Sequence, residues 1–282
     1  MTARASQPRG AAPSTSVRQF TRARIERLCA DALRDAGLAG VLPTPLDALG
    51  EALGVRERVA LPPQARVLGA LWFEERALFV ERTQSRARRR FTEAHELGHL
   101  LCPWHRAVVR LDTAGELFGS LGVGIEAEAN LAAGELIFQG ARFTAEAADH
   151  EHSLRTPLAL ADAYGASGHA AAHHYVERHA EPLALLVAGR WPDARGRLPV
   201  WRSVEAPAFA AAFGRLAGRF RHVGGSGPLA EALDTARRTS DPVPTAIALG
   251  GRTFPAEVLN NRHCHLILVT GGREAATRSL AA

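Results

Sequence analysis

The 282-residue chain contains no lysine: all 34 of its basic residues are arginine, set against 29 acidic residues for a formal charge of +5. The simplest source of such usage is a GC-rich genome, so the arginines are no sign of phosphate contacts. The charge implies only a mild attraction to acidic partners. Cysteine is scarce: Cys29, Cys102 and Cys264 are odd in number and far apart. That excludes a disulfide framework and fits a reducing cytoplasm. No apolar run approaches the roughly 20 residues that span a bilayer, so no helical membrane segment is expected. What remains is ample: 46% of residues are hydrophobic and 22% charged, enough for one large core or two modest ones.

Residues 1–20 are rich in Arg, Ser, Pro and Ala, without an acid or an apolar secretion segment, and are expected to form a disordered tail. Thr21 then offers a cap for a helix over 22–36, with Ile25, Leu28, Cys29, Ala32, Leu33 and Ala36 at helical spacing and Gly37 as its stop. Thr44-Pro45 opens a shorter helix ending near Gly54. Val67–Phe73 and Ala77–Val80 have the period of two strands. A long helix covers about 88–102, stopped by Pro103, and another covers 125–138. Arg86, Arg88, Arg89 and Arg90 crowd the start of the first, a solvated face in the plain reading. Short helices are expected over 157–164 and 168–178. Beyond Glu181-Pro182 the pattern turns to strands at 183–187, 200–204, 245–249 and 265–269, with helices near 206–219 and 229–237.

The chemistry-bearing stretch is His95-Glu96-Leu97-Gly98-His99, inside the most amphipathic helix. Residues i and i+4 lie one turn apart on one helix face, so two imidazoles so placed can chelate one zinc ion. Glu96, about 100° round the helix, can accept a proton from a water that the metal activates. A zinc hydrolase needs a third protein ligand and an open fourth position. The next helix carries Glu126, Glu128 and Glu135, of which Glu126 shares a face with Asn130 and Glu128 points elsewhere.

Arg90-Phe91-Thr92-Glu93-Ala94-His95-Glu96-Leu97-Gly98-His99, followed by Glu126-Ala127-Glu128-Ala129-Asn130 and the tail Ala133-Gly134-Glu135-Leu136-Ile137, resembles the ImmA/IrrE metallopeptidases. Ala132 and Phe138-Gln139 depart from the usual pattern, at packing positions and not in the zinc chemistry. The resemblance implies Glu126 as third ligand beside His95 and His99, Glu96 as general base, and Zn2+ (or Mn2+ in vivo) as cofactor. It further implies an α+β fold: a zincin-like peptidase domain over 21–150, a small helix-turn-helix over 151–181 and a GAF-like α/β sensor domain over 182–282, as in the IrrE branch of radiation-response regulators. The activity implied is cytoplasmic cleavage of an XRE-type helix-turn-helix repressor, which derepresses stress and DNA-damage genes, with a signal ligand at the C-terminal domain. The alternative is a non-proteolytic DNA-binding regulator with a structural zinc site.

Other candidates weigh less. Gly165 and Ser167 suit the turn and cap of a helix-turn-helix, but its second helix offers His169 and His173 where base readout wants Arg, Lys, Asn or Gln, so specific DNA binding is not expected. His169 and His173, near His150 and His152, have no carboxylate at ligand spacing; one of these histidines, or Tyr164 or Tyr175, is eligible to stabilise an oxyanion. His263-Cys264-His265 begins an apolar strand whose neighbours alternate faces, so the three cannot converge on one ion. Cys102 reads as a buried thiol. Gly224-Gly225-Ser226-Gly227 lacks the strand and lysine of a phosphate loop.

Overall fold

The computed structural model describes residues 15–63, 68–106, 121–216 and 220–272. Most of the expected N-terminal tail lies outside them. Two compact units meet at Gly140/Ala141, whereas the sequence reading set its boundaries at 150/151 and 181/182.

The first unit contains α1 (Thr15–Asp35), α2 (Leu46–Ala52), β1 (Glu57–Leu61), β2 (Gly69–Trp72), β3 (Ala77–Glu81), α3 (Arg86–Leu101) and α4 (Leu121–Phe138). Helix α1 starts at Thr15, ahead of the expected cap at Thr21, and buries Ile25, Cys29 and Leu33. The Cys29 thiol donates to the carbonyl of Ala132 on α4. The small sheet has the order β1-β3-β2, with β1 parallel and β2 antiparallel to β3. Strand β1 has no counterpart in the sequence reading, because its side chains are exposed or half-exposed and show no apolar alternation. Its Arg58 ties the unit together: the guanidinium pairs with Glu93 of α3 and donates to the carbonyls of Leu46 and Asp47 at 2.9 and 3.2 Å.

Helix α3 begins where Ser85 accepts the Arg88 amide, and Cys102 ends it ahead of Pro103. Arg86, Arg88 and Arg89 are exposed, as a solvated face should be. Arg90 is not: its guanidinium donates at 2.8 Å to the Thr44 carbonyl, and the Thr44 hydroxyl donates at 2.8 Å to Leu136 on α4. At the crossing of α3 and α4, a Cβ on Gly98 would lie 2.8 Å from Ala132 Cβ and 3.0 Å from the Ala129 carbonyl. A missing side chain sets that separation.

The second unit contains α5 (Ala141–Ala148), α6 (Arg155–Ala161), α7 (Gly168–Glu177), β4 (Leu183–Ala188), β5 (Arg197–Glu205), α8 (Pro207–Phe213), β6 (His222–Gly224), α9 (Pro228–Ala236), β7 (Val243–Leu249), β8 (Arg252–Asn260) and β9 (His265–Thr270). The strands form one sheet of order β6-β5-β4-β9-β8-β7, antiparallel throughout. Phe209 of α8 and Leu229 and Leu233 of α9 share a core with Leu186, Val258 and Ile267 of the sheet. Helix α8 is shorter than the expected 206–219, since Gly214 leaves the helix at φ 81°. Strand β8 was hidden by Pro255, which lies just beyond Ala256, the last residue paired to β9. Helices α5 to α7 belong to this unit. Glu257 of β8 accepts from Ser153 Oγ at 2.9 Å and from the Leu154 amide at 2.8 Å, at the start of α6.

Replacing Gly98 by alanine should push α3 off α4. Overpacking of this kind typically costs about 1–3 kcal/mol, which denaturant unfolding of Gly98→Ala should register. An unchanged unfolding midpoint would contradict the close helix crossing.

Candidate metal centre

His95 and His99 come from α3 and Glu126 from α4, and one ligand atom of each lies within 4.8 Å of the others. Nε2 of His95 is 3.1 Å from Nε2 of His99. Glu126 places Oε2 at 3.1 Å from His95 Nε2 and Oε1 at 3.4 Å from His99 Nε2. A tetrahedral ion with ligands at ~2.0–2.1 Å needs donor separations of roughly 3.3 Å, so the three donors fit such an ion. Three lone pairs this close repel one another unless a cation or a shared proton sits among them. Among the described residues no other group of three or more His, Cys, Asp or Glu side chains is brought together in this way.

The far sides of both rings are engaged. His95 Nδ1 lies 3.1 Å from Asn130 Oδ1, one turn past Glu126 on α4. His99 Nδ1 lies 2.9 Å from Nδ1 of His105. His105, in the helical turn after Pro103, is fully buried, and its Nε2 is 2.9 Å from Glu128 Oε2. The Trp104 indole donates to that same oxygen at 2.6 Å. Glu128 thus faces His105 and Trp104, and is not among the converging donors. Burial, then the neighbouring His95 and His105 rings, pushes His99 down to about 3, and burial likewise lowers His105. Both rings are therefore neutral near pH 7, the form that can ligate a metal.

Glu96 is 8% exposed, and burial followed by the Glu126 carboxylate raises its pKa to about 7. Its carboxylate lies against β2, where a Cβ on Gly69 would come within 2.9 Å of Glu96 Oε1 and 2.4 Å of Thr92 Cγ2. A proton acceptor poised near neutral pH is what general base catalysis calls for. Glu126 is the open member, its side chain 56% exposed.

These observations meet the comparison with known families. Residues 59–175 match the IrrE N-terminal-like domain of the Peptidase_M78 family. No curated protein matches the chain. Among solved structures, a Mycobacterium tuberculosis transcriptional regulator is similar in fold, with a TM-score of 0.55 and 19% identity over 90% of this chain and 79% of that one. The IrrE N-terminal-like domain points to a metallopeptidase-type or regulatory role.

Sequence reasoning overlooked His105, Trp104 and Gly69. Only the proximity of His105 to the motif hinted at it. Several of the other candidates have partners of their own. Burial raises Cys102 to about 12, keeping it a thiol. Tyr164 is fully buried, and its hydroxyl donates to Glu146 at 2.8 Å. Tyr175, also buried, sits with His169 and His173 on the second unit's α7. His265 engages the Gly189 carbonyl at 3.1 Å, and the Cys264 thiol donates to Asn261. Ser167 caps α7, and Gly165 turns at φ 63°.

Elemental analysis should find that His95→Ala, His99→Ala and Glu126→Ala each lose bound metal, since two ligands hold zinc poorly against water. Loss of metal from Glu128→Ala together with full retention in Glu126→Ala would reverse the assignment on α4.

Proposed function

We propose that this chain is a cytoplasmic, zinc-dependent endopeptidase that cleaves an XRE-type helix-turn-helix repressor and so derepresses stress-response genes. The observation that carries it is the convergence of His95, His99 and Glu126 at tetrahedral spacing, next in sequence to a buried carboxyl poised near pH 7. His95, His99 and Glu126 hold the ion in this reading, and zinc, when bound, supplies Lewis acidity to a water and to the scissile carbonyl. Glu96 takes the proton of the attacking water on its carboxylate and delivers it to the departing amide nitrogen. Three protein ligands among the described residues, with an exposed Glu126, favour this over a closed structural zinc site in a DNA-binding regulator, where four protein ligands are the rule.

The substrate peptide lies extended along β2 in this reading. That strand ends the order β1-β3-β2 among the described residues, and its Gly69 abuts Glu96. Strand addition to such an edge supplies affinity through backbone hydrogen bonds. The second unit, read as a GAF-like sensor preceded by helix-turn-helix-like helices, contributes no ligand among its described residues and takes the activating signal. Three free, buried cysteines accord with a reducing compartment.

Incubation with the XRE-type repressor encoded nearest its gene tests the proposal. Glu96→Gln keeps the side-chain shape and removes the proton acceptor, so it should retain metal while repressor cleavage falls about 10²–10⁴-fold. Cleavage within a few-fold of the parent would remove Glu96 from its role. A salt-resistant, site-specific DNA footprint without cleavage would favour the regulator instead.

A further inference from the structure

We propose that His105, held by Glu128 and Trp104, is a positioning residue that dictates which nitrogen of His99 is left bare for the metal. The inference rests on the metal-site reading above and extends it to side chains outside the ligand set.

The argument is one of proton counting along a buried chain. A carboxylate only accepts hydrogen bonds, and a neutral imidazole has one donor and one acceptor nitrogen. Glu128 Oε2 accepts the indole N–H of Trp104 at 2.6 Å, and at 2.9 Å it faces His105 Nε2, which must therefore carry the proton. In a neutral ring that leaves His105 Nδ1 bare. This bare nitrogen stands 2.9 Å from His99 Nδ1. Two bare nitrogens at that distance would repel, so His99 is protonated at Nδ1 and donates to His105. The remaining nitrogen, His99 Nε2, is left with its lone pair and faces His95 and Glu126.

With both rings neutral, every polar atom of the two is accounted for. Reversing the His99 tautomer would put a proton among the three donors and two lone pairs against each other at the Nδ1 contact. The enclosure makes this expensive: His105 is fully buried, and an unmet buried polar group costs about 1–3 kcal/mol. The far end is secured in turn, because the Arg24 guanidinium of α1 stands 4.1 Å over the Trp104 ring. Partners beyond the ligands typically tune metal affinity about 10–100-fold.

The test reads zinc binding by chelator competition on the full-length chain, together with nitrogen-resolved imidazole NMR of the zinc-loaded protein. His105→Phe keeps a ring of similar size without nitrogens, and Glu128→Ala removes the terminal acceptor. Each should weaken zinc binding about 10–100-fold in protein whose circular dichroism is unchanged. His105→Gln, whose amide can accept from His99 and donate to Glu128, should recover most of the loss, which a purely space-filling role would not predict. The NMR needs no variant: it should show His99 protonated at Nδ1 and His105 at Nε2. The opposite tautomer at His105 would overturn the proposal. So would folded His105→Phe and Glu128→Ala proteins that bind zinc as tightly as the parent while His95→Ala loses it. Were His95→Ala to bind zinc normally too, the metal site itself would fall, and the relay with it.

Discussion

The site depends on how closely two helices approach. His95 and His99 are fixed to each other by one turn of α3, but Glu126 comes from α4, and its reach to them is set by the interhelical distance. Gly98 lies between the two histidines in sequence and sits against Ala129 and Ala132. A side chain there would separate the helices and pull the carboxylate out of the donor triangle. Small residues on both helices thus do for the metal site what packing usually does for a core. The same face of α4 also sends Asn130 to the back of His95, so one helix supplies both a candidate ligand and the partner that orients another.

Burial then decides the protonation of what has been brought together. His99 and His105 are buried, and a buried imidazolium is disfavoured, which keeps these two rings neutral. The same desolvation acts in the opposite sense on Glu96, whose charged form is the anion. It is raised to about 7, where it can both take and release a proton near neutral pH. One physical cause therefore prepares His99 as a lone-pair donor and the neighbouring Glu96 carboxyl as a base. Glu126 stays exposed, and that exposure opens one side of the centre.

Much of this was legible in the sequence because it is local. The His-x3-His spacing on an amphipathic stretch marks two candidate ligands, and a carboxylate one turn before Asn130 on the next helix offers a third. Cap and stop residues placed α3 and α7 to within two residues. What escaped is of another kind. His105 follows a proline and belongs to no periodic segment, so nothing local says that its ring turns back on His99. Gly69 lies in a strand, and its role is only to leave room for Glu96. Arg90 looked like one of four solvated cations, and only the tertiary position of Thr44 singles it out. Strands β1 and β8 were obscured for reasons of pattern: the first is an edge without apolar alternation, the second carries a proline where β9 no longer pairs with it.

The placement of Glu96 against β2 joins the fold to the chemistry. An edge strand is a hazard for most proteins, since its unpaired backbone groups attract other chains. Here the edge runs beside the candidate base, and Gly69 lets the carboxylate come against the strand backbone. A peptide drawn to that edge by backbone hydrogen bonds is brought alongside Glu96 whatever its side chains are. Recognition of this kind gives register and direction, but little selectivity among extended peptides. Under the proposed function, selectivity among protein substrates must then come from contacts outside the strand, so the residues that choose a substrate need not be those that cleave it.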